Sequence, residues 1–318
     1  MRDIPDELRS RPFTRSEAIA AGISPRMLQG KRFVRLHSGV YRWAGLTMSQ
    51  AHAIEAARLA LPDHARTTGI TRLQQLGLDF GPREPLHFVI EGDLHLAPQG
   101  VFLHRTVLMP PADERHVEVA AAFVAYCASA RVIDAVKVGD WLLHRNRVEA
   151  DDVLRLVEAQ PWRDGAVEAR WILQHLEARA RSLPESEMRV LLAFAGLPEP
   201  QVNRPFDLTG QWPYMPDLYY RVHRVGVEYE GAQHQEDREV YSGDIDRYAD
   251  LRRAGVRYVQ VTKEMLARPR SVVATVYREL VAAGYDGPAP QVGREWARVF
   301  GRVSDAPDLP RRCRRRSA

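Results

Sequence analysis

Asp217, Glu228 and Glu230 are spaced so that one β-hairpin would present three carboxylates on a single face. Within Val225–Glu230 the residues Val225, Val227 and Tyr229 alternate with Gly226, Glu228 and Glu230, and a period of two puts both glutamates on the same side of a strand. With His223 and Arg224 as a two-residue turn, Val222 pairs with Val225, Asp217 falls opposite Glu230, and Glu228 lies on the diagonal. Like charges opposed across a sheet repel, so this arrangement calls for a compensating cation. Carboxylate oxygens hold hard divalent ions such as Mg²⁺ or Mn²⁺. A metal held there would bind a phosphate oxygen, stabilise developing negative charge and help deprotonate an attacking water. A solvated strand face beside basic neighbours would use the same residues without a metal.

The flanking sequence supplies elements that would hold this hairpin. Upstream, Ser186 to Gly196 reads as a helix with Met188, Leu191, Leu192 and Ala195 as its apolar stripe and Glu187 at the margin of that stripe. Downstream, Asp244 to Ala254 reads as a helix closed by Gly255. A strand follows over Val256 to Thr262, then a terminal helix from about Lys263 to Ala283. The order is helix, hairpin, helix, strand, helix, which predicts an α+β domain with a mixed sheet.

Glu187, Asp217, Val227-Glu228-Tyr229-Glu230-Gly231, His234, Asp246, Arg247, Leu251, Gly255 and Val259-Gln260-Val261-Thr262 together resemble a known family. It is the domain of unknown function related to very-short-patch-repair endonucleases, within the PD-(D/E)XK or restriction-endonuclease-like superfamily. The resemblance covers residues 182–283. It implies a restriction-endonuclease-like mixed sheet flanked by helices and a Mg²⁺-dependent deoxyribonuclease that hydrolyses phosphodiester bonds. It further implies Asp217, Glu228 and Glu230 as metal ligands, with Glu187 completing the site from the first helix. Pro216-Asp217 and Glu228 match the superfamily pattern, but Glu230 stands where the usual lysine would be. Relatives of this kind often carry an acid there and a histidine shortly after, which His234 matches. A neutral imidazole accepts a proton near neutral pH, so His234 is the group available to orient the attacking water. The missing lysine keeps a second reading open, a noncatalytic DNA-binding regulator with a degenerate nuclease domain. Asp246 and Arg247 read as a helix cap and an ion pair, and Gln260 either faces the site or makes a sheet-edge hydrogen bond.

The N-terminus carries an independent signal. Thr14-Arg15-Ser16-Glu17 is a capping box for a helix that Gly22 ends, and Ser24-Pro25 starts a second short helix over Pro25 to Gly30. Phe33 to Leu36, a His37-Ser38-Gly39 turn and Val40 to Trp43 then form a strand, turn, strand wing. Through Phe13-Thr14, Ala21-Gly22-Ile23-Ser24 and Gly39-Val40-Tyr41 the segment resembles the winged helix-turn-helix domain at the start of abortive-infection-type antitoxins. The resemblance implies DNA as a partner, or a partner protein of a toxin-antitoxin or defence system. Basic residues outnumber acidic ones here, and Arg26, Lys31, Arg32 and Arg35 are the candidate phosphate contacts.

A chain of 318 residues with 45% hydrophobic and 27% charged content can build more than one cored domain. Its net charge of +4 does not by itself imply a nucleic-acid partner. Two cysteines exclude a disulfide framework and point to the cytoplasm, and no signal peptide or membrane-length apolar run is present. The expected organisation is a winged helix over 1–45, an α+β connector over 46–181, a nuclease-like domain over 182–285 and a tail over 286–318. In the connector, helices are expected over 47–60, 131–143, 151–160 and 166–181, and strands over 86–91 and 101–104. His64, His87, His95, His104 and His116 lack zinc-site spacing and read as surface or packing residues. From Val303 onward the Pro- and Arg-rich tail reads as disordered, with Arg311 to Arg316 adding nonspecific phosphate contacts.

Overall fold

The computed structural model describes residues 4–207, 213–231, 251 and 253–306. The fold is mixed α+β, with helices around several small sheets in two compact units, residues 1–126 and 127–318. These units divide the chain elsewhere than at 45/46 and 181/182. The connector is shared out because its first helix packs on the N-terminal hairpin and a later one packs on the helix that opens the C-terminal sheet domain.

The first unit begins with α1 (Asp6–Ser10), β1 (Phe13–Thr14), α2 (Arg15–Ala20), α3 (Pro25–Leu28), β2 (Phe33–His37) and β3 (Val40–Trp43). The Thr14 side chain accepts the Glu17 amide while Glu17 reaches back to the Thr14 amide, so both capping-box bonds form. Ser24 caps α3 in the same sense, accepting the Met27 amide. The strands join in the order β1-β3-β2. Phe13 and Phe33 meet edge to face with centroids 6.0 Å apart, closing a core with Leu8, Ala18, Ile23 and Leu28.

The rest of this unit comprises α4 (Gln50–Ala60), β4 (Arg66–Thr67), α5 (Gly69–Gln75), β5 (Leu86–Glu91), β6 (Val101–Thr106) and α6 (Val119–Cys127). α4 starts at Gln50 rather than 47, because Ser49 caps it. β4 runs antiparallel to β5, and β5 runs parallel to β6, which extends beyond His104 to Thr106. His87 and His104 hydrogen-bond to one another at 2.9 Å, and His116 bonds the Thr67 hydroxyl at 2.8 Å. His64 and His95 are exposed.

The second unit contains α7 (Val132–His144), α8 (Ala150–Ala159), α9 (Ala166–Leu173) and α10 (Leu183–Phe194). Its strands are β7 (Gln201–Val202), β8 (Phe206–Asp207), β9 (Pro213–Tyr214), β10 (Leu218–Tyr220), β11 (Val225–Glu230) and β12 (Arg257–Thr262). The main sheet has the order β12-β11-β10-β7, with β11 and β12 parallel and the other pairs antiparallel. Val225, Val227, Val259 and Val261 are buried, which accounts for the apolar half of the strand alternation.

Several expected boundaries move. α9 stops at Leu173 instead of reaching Arg181, because the chain leaves the helix to give the Glu177 amide to Asp140 Oδ1 at 2.6 Å. α10 begins at Leu183 rather than Ser186, since Ser182 caps it and Pro184 sits in its first turn. The terminal helix is two helices, Lys263–Leu266 and Pro269–Ala282, because Pro269 has no amide hydrogen and disfavours a helical residue before it. The tail is folded as far as Ala306. Val303 is buried and its amide donates to the Ala130 carbonyl, while the Trp296 indole donates to the Leu191 carbonyl at 3.0 Å. Arg311 to Arg316, and most of the expected helix from Asp244 to Ala254 including Asp246 and Arg247, lie outside the described residues.

Candidate active site

The hairpin register differs from the one expected. Leu218 pairs with Val227, Tyr219 with Gly226 and Tyr220 with Val225, so the turn is Arg221 to Arg224 and not His223-Arg224 alone. A two-residue turn of the favoured kind needs positive φ at its central residues, and of these four only Arg224 has it, at +53°. The longer turn shifts the register by two residues. Asp217 therefore comes beside Glu228 rather than Glu230, but a shift of two preserves the faces of both strands. Gly226 serves this face through close approach, because a Cβ there would stand 3.1 Å from the Tyr214 hydroxyl. Tyr214, with Phe206 and Tyr219, builds the apolar end of the face; Phe206 and Tyr219 stack at 3.9 Å.

Beyond that apolar end the acids follow. Asp217 is half-buried, and its Oδ2 accepts the Tyr229 amide at 2.7 Å. Burial, then the charge of Glu185, push its carboxyl up to about 7, with Glu228 adding to the shift and the Tyr229 amide opposing it. Glu228 Oε2 accepts the Tyr258 hydroxyl at 3.0 Å, and Glu230 accepts the amide of Gln260. Since β11 and β12 pair in register at Glu228 and Gln260, the polar side chains of both strands share this face.

The acid that α10 brings to Asp217 is Glu185, which the sequence reading passed over. It is buried, 7% exposed, and its Oε2 accepts the Asn203 side chain at 2.6 Å and the Arg181 amide at 2.9 Å. Asn203 in turn gives its own amide to the Asp217 carbonyl at 3.0 Å, which ties β7, β10 and the start of α10 together. Glu187 is held by Lys137 of α7 instead. One sequence signal could have found Glu185: an acid three residues after the capping Ser182 of a helix that leads into the sheet. His234 lies outside the described residues.

Carboxylate oxygens are the donors that a hard divalent cation takes, and after burial the charges of Glu185 and Glu228 raise the Asp217 carboxyl, so a cation held among them would offset that repulsion. Among the described residues no three His, Cys, Asp or Glu side chains converge on one point as positioned. Glu230 is engaged with Gln260 rather than turned toward Asp217.

The same burial carries a stability consequence. The folded pKa of Asp217, about 7, lies above the ordinary value of 3.8, so the native state holds this proton more tightly than the unfolded chain does. The resulting stabilisation is fully present below about pH 4 and is lost as pH rises through about 7. Asp217→Asn removes the buried charge and is expected to raise stability at pH 8 by at most roughly 4 kcal/mol, with little change at pH 4. Urea midpoints at the two pH values check this; an equal gain or loss at both would contradict it.

No protein-family model matches the chain. Two uncharacterized proteins of Mycobacterium tuberculosis, from two strains, are 28% identical to it over 149 residues, which is 46% of this chain and 55% of each relative. The chain thus spans about half the length of the curated relatives it matches. Among the described residues no helix is long and apolar enough to cross a membrane.

Proposed function

We propose that the protein binds DNA and hydrolyses its phosphodiester bonds with the help of a divalent cation, Mg²⁺ or Mn²⁺. The observation that carries this reading is the half-buried Asp217 carboxyl, hydrogen-bonded to the Tyr229 amide and set among the charges of Glu185 and Glu228. Asp217 and Glu228 would hold the cation, with Glu185 contributing from α10 and Glu230 available if it leaves Gln260. When bound, the ion supplies positive charge at a phosphate oxygen and lowers the pKa of a water molecule. The protein's own part is to orient Asp217 through the Tyr229 amide, to orient Glu228 through the Tyr258 hydroxyl, and to keep the acids half-dry so that each charge counts for more. His234 remains the proposed acceptor of the water proton.

DNA binding is assigned to the N-terminal hairpin and the helices before it, in the manner of a winged helix-turn-helix. Arg26, Lys31 and Arg35 are exposed and Arg32 half-buried on the segment from α3 to β2, whereas Arg11 is paired with Glu7 and Glu17 and Arg42 is tied to backbone carbonyls. A cytoplasmic protein acting in defence or DNA repair, with DNA or a toxin-antitoxin partner protein as its ligand, fits this reading.

One observation favours a second reading, a noncatalytic DNA-binding regulator: Glu230 occupies the place of the usual lysine and is bonded to Gln260. Incubating the protein with supercoiled, linear, single-stranded and mismatched DNA, with and without Mg²⁺ or Mn²⁺, separates the two. Metal-dependent cleavage is the expected result. Glu230→Lys is expected to suppress it about tenfold or more, because a cation would replace a carboxylate at the site. Silence of the natural protein on every substrate, with activity in Glu230→Lys, would instead support the regulator.

A further inference from the structure

We infer that the half of the first unit following the N-terminal hairpin carries a second phosphate-binding surface, made by Arg58, Arg66, Arg72 and Arg115 around His116, and that its ligand is the sugar-phosphate backbone of DNA. This inference rests on the DNA-binding reading above and assigns a role to a segment whose sequence suggested none.

Four arginines from α4, β4, α5 and the loop before α6 gather here, and neighbouring backbone holds three of them. Arg66 donates to the carbonyls of Asp113 and Asp63, each at 2.7 Å. Arg72 donates to the Val117 carbonyl at 3.3 Å, and Arg58 to the Arg115 carbonyl at 3.4 Å. Carbonyl acceptors orient a guanidinium without neutralising it. Among the described residues, Arg66, Arg72 and Arg115 have no carboxylate oxygen within salt-bridge distance, while Arg58 has Glu55 at 3.6 Å. The buried Nε of Arg58 makes no hydrogen bond. Asp113 Oδ1 accepts the amides of Arg115 and His116, both at 2.7 Å, and its charge offsets part of the repulsion among the arginines.

Holding these cations together is unfavourable in the absence of a ligand. Arg58 is pushed below the ordinary guanidinium value by burial, with the charges of Arg115 and Arg66 adding to the shift and those of Glu55 and Asp113 opposing it. Burial lowers Arg72 in the same way. His116 is lowered by burial and then by Arg72, with Arg58 and Arg115 adding to the effect and Asp113 opposing it. The cluster adjoins an open cleft of about 620 Å³ lined in part by His64, Arg66, Met109 and Asp113. Planar guanidinium groups, preorganised by carbonyls and outnumbering the carboxylates beside them, match the oxygens of a phosphodiester.

The test is the salt dependence of duplex DNA binding by the full chain, read by fluorescence anisotropy in metal-free buffer. Removing two contacts in Arg58→Gln/Arg115→Gln is expected to lower the log–log slope by about 1.8, and Arg115→Gln alone by about 0.9. Arg58→Lys/Arg115→Lys keeps the charge and is expected to keep most of the slope, which a purely structural role for these side chains would not predict. Because Arg115 is exposed, its single variant decides the matter should the double variant unfold. An unchanged slope in Arg115→Gln, beside a reduced slope in Arg26→Ala/Lys31→Ala/Arg32→Ala/Arg35→Ala, sinks this inference and leaves DNA binding intact. Absence of DNA binding by the natural protein overturns both. Saturable binding of inorganic phosphate with no effect of Arg115→Gln on the DNA slope would mark a free-anion site and also overturn the inference.

Discussion

Asp217→Ala and Glu228→Ala are each expected to abolish the proposed metal-dependent DNA cleavage, by about a thousandfold or more, while DNA affinity stays level or rises slightly. The reasoning starts from the two carboxylates' neighbours. Asp217 stands just before β10, at the level of Glu228 on β11, with Asp217 fixed by the Tyr229 amide and Glu228 by the Tyr258 hydroxyl. Removing either would leave the proposed cation with fewer oxygen ligands. Binding is separate, since the phosphate contacts are assigned to cations of the first unit, and deleting a negative charge lessens repulsion of the backbone. The pH profile is the sharper readout. A proton would have to leave Asp217 before the carboxylate could hold a cation, so the proposed activity in limiting metal is expected to rise with pH through about 7, tenfold per unit on the acid side. Saturating metal is expected to move that limb to lower pH, because the cation and the proton would compete for the same oxygens. Single-turnover cleavage across pH 5.5 to 8.5 at two metal concentrations measures both effects, with the pH values chosen to bracket about 7. Cleavage persisting at natural rates in either alanine variant would remove these residues from the chemistry.

Arg189→Ala is expected to destabilise the second unit by about 3–5 kcal/mol. Arg189 of α10 donates to Asp140 Oδ2 of α7 at 2.8 Å and to the His175 carbonyl at 2.6 Å. Asp140 has no exposed side-chain surface, and burial raises its carboxyl despite the Arg189 charge opposite. Truncating the arginine therefore strands a carboxyl in the interior beside the Glu177 amide. Arg189→Met combined with Asp140→Leu removes both charges with little loss of volume and should recover most of the stability, because the desolvation cost disappears with the pair. Urea unfolding of the three variants measures this. A loss below about 1 kcal/mol in Arg189→Ala would mean that water reaches Asp140. Together with Lys137 and Glu187, the pair clamps α7 to the helix that carries Glu185.

Part of the candidate site's geometry was legible in the sequence. Alternation in Val225–Glu230 determined which side chains share a face, and the observed register, two residues away from the expected one, keeps that assignment because a strand repeats every two residues. The partner of Asp217 was not legible, since it depends on how many residues the turn takes. That number depends on which of them adopts positive φ. Capping at Thr14, Ser24 and Ser182 is local hydrogen bonding, which short sequence patterns specify; the capping box at Thr14 was read correctly. The arginine cluster around His116 was invisible because its members come from separate elements and meet only once β4, α5 and the loop after β6 are in place. Glu185 and Glu187 show the division most plainly. Two residues on a helix differ by about 200° around its axis, so they point to nearly opposite sides. The sequence by itself determined that a helix with acids at its start precedes the sheet. Only the tertiary structure decided which acid meets Asp217, because α7 meets the other side of α10 with Lys137 and takes Glu187, leaving Glu185 to turn toward the strands.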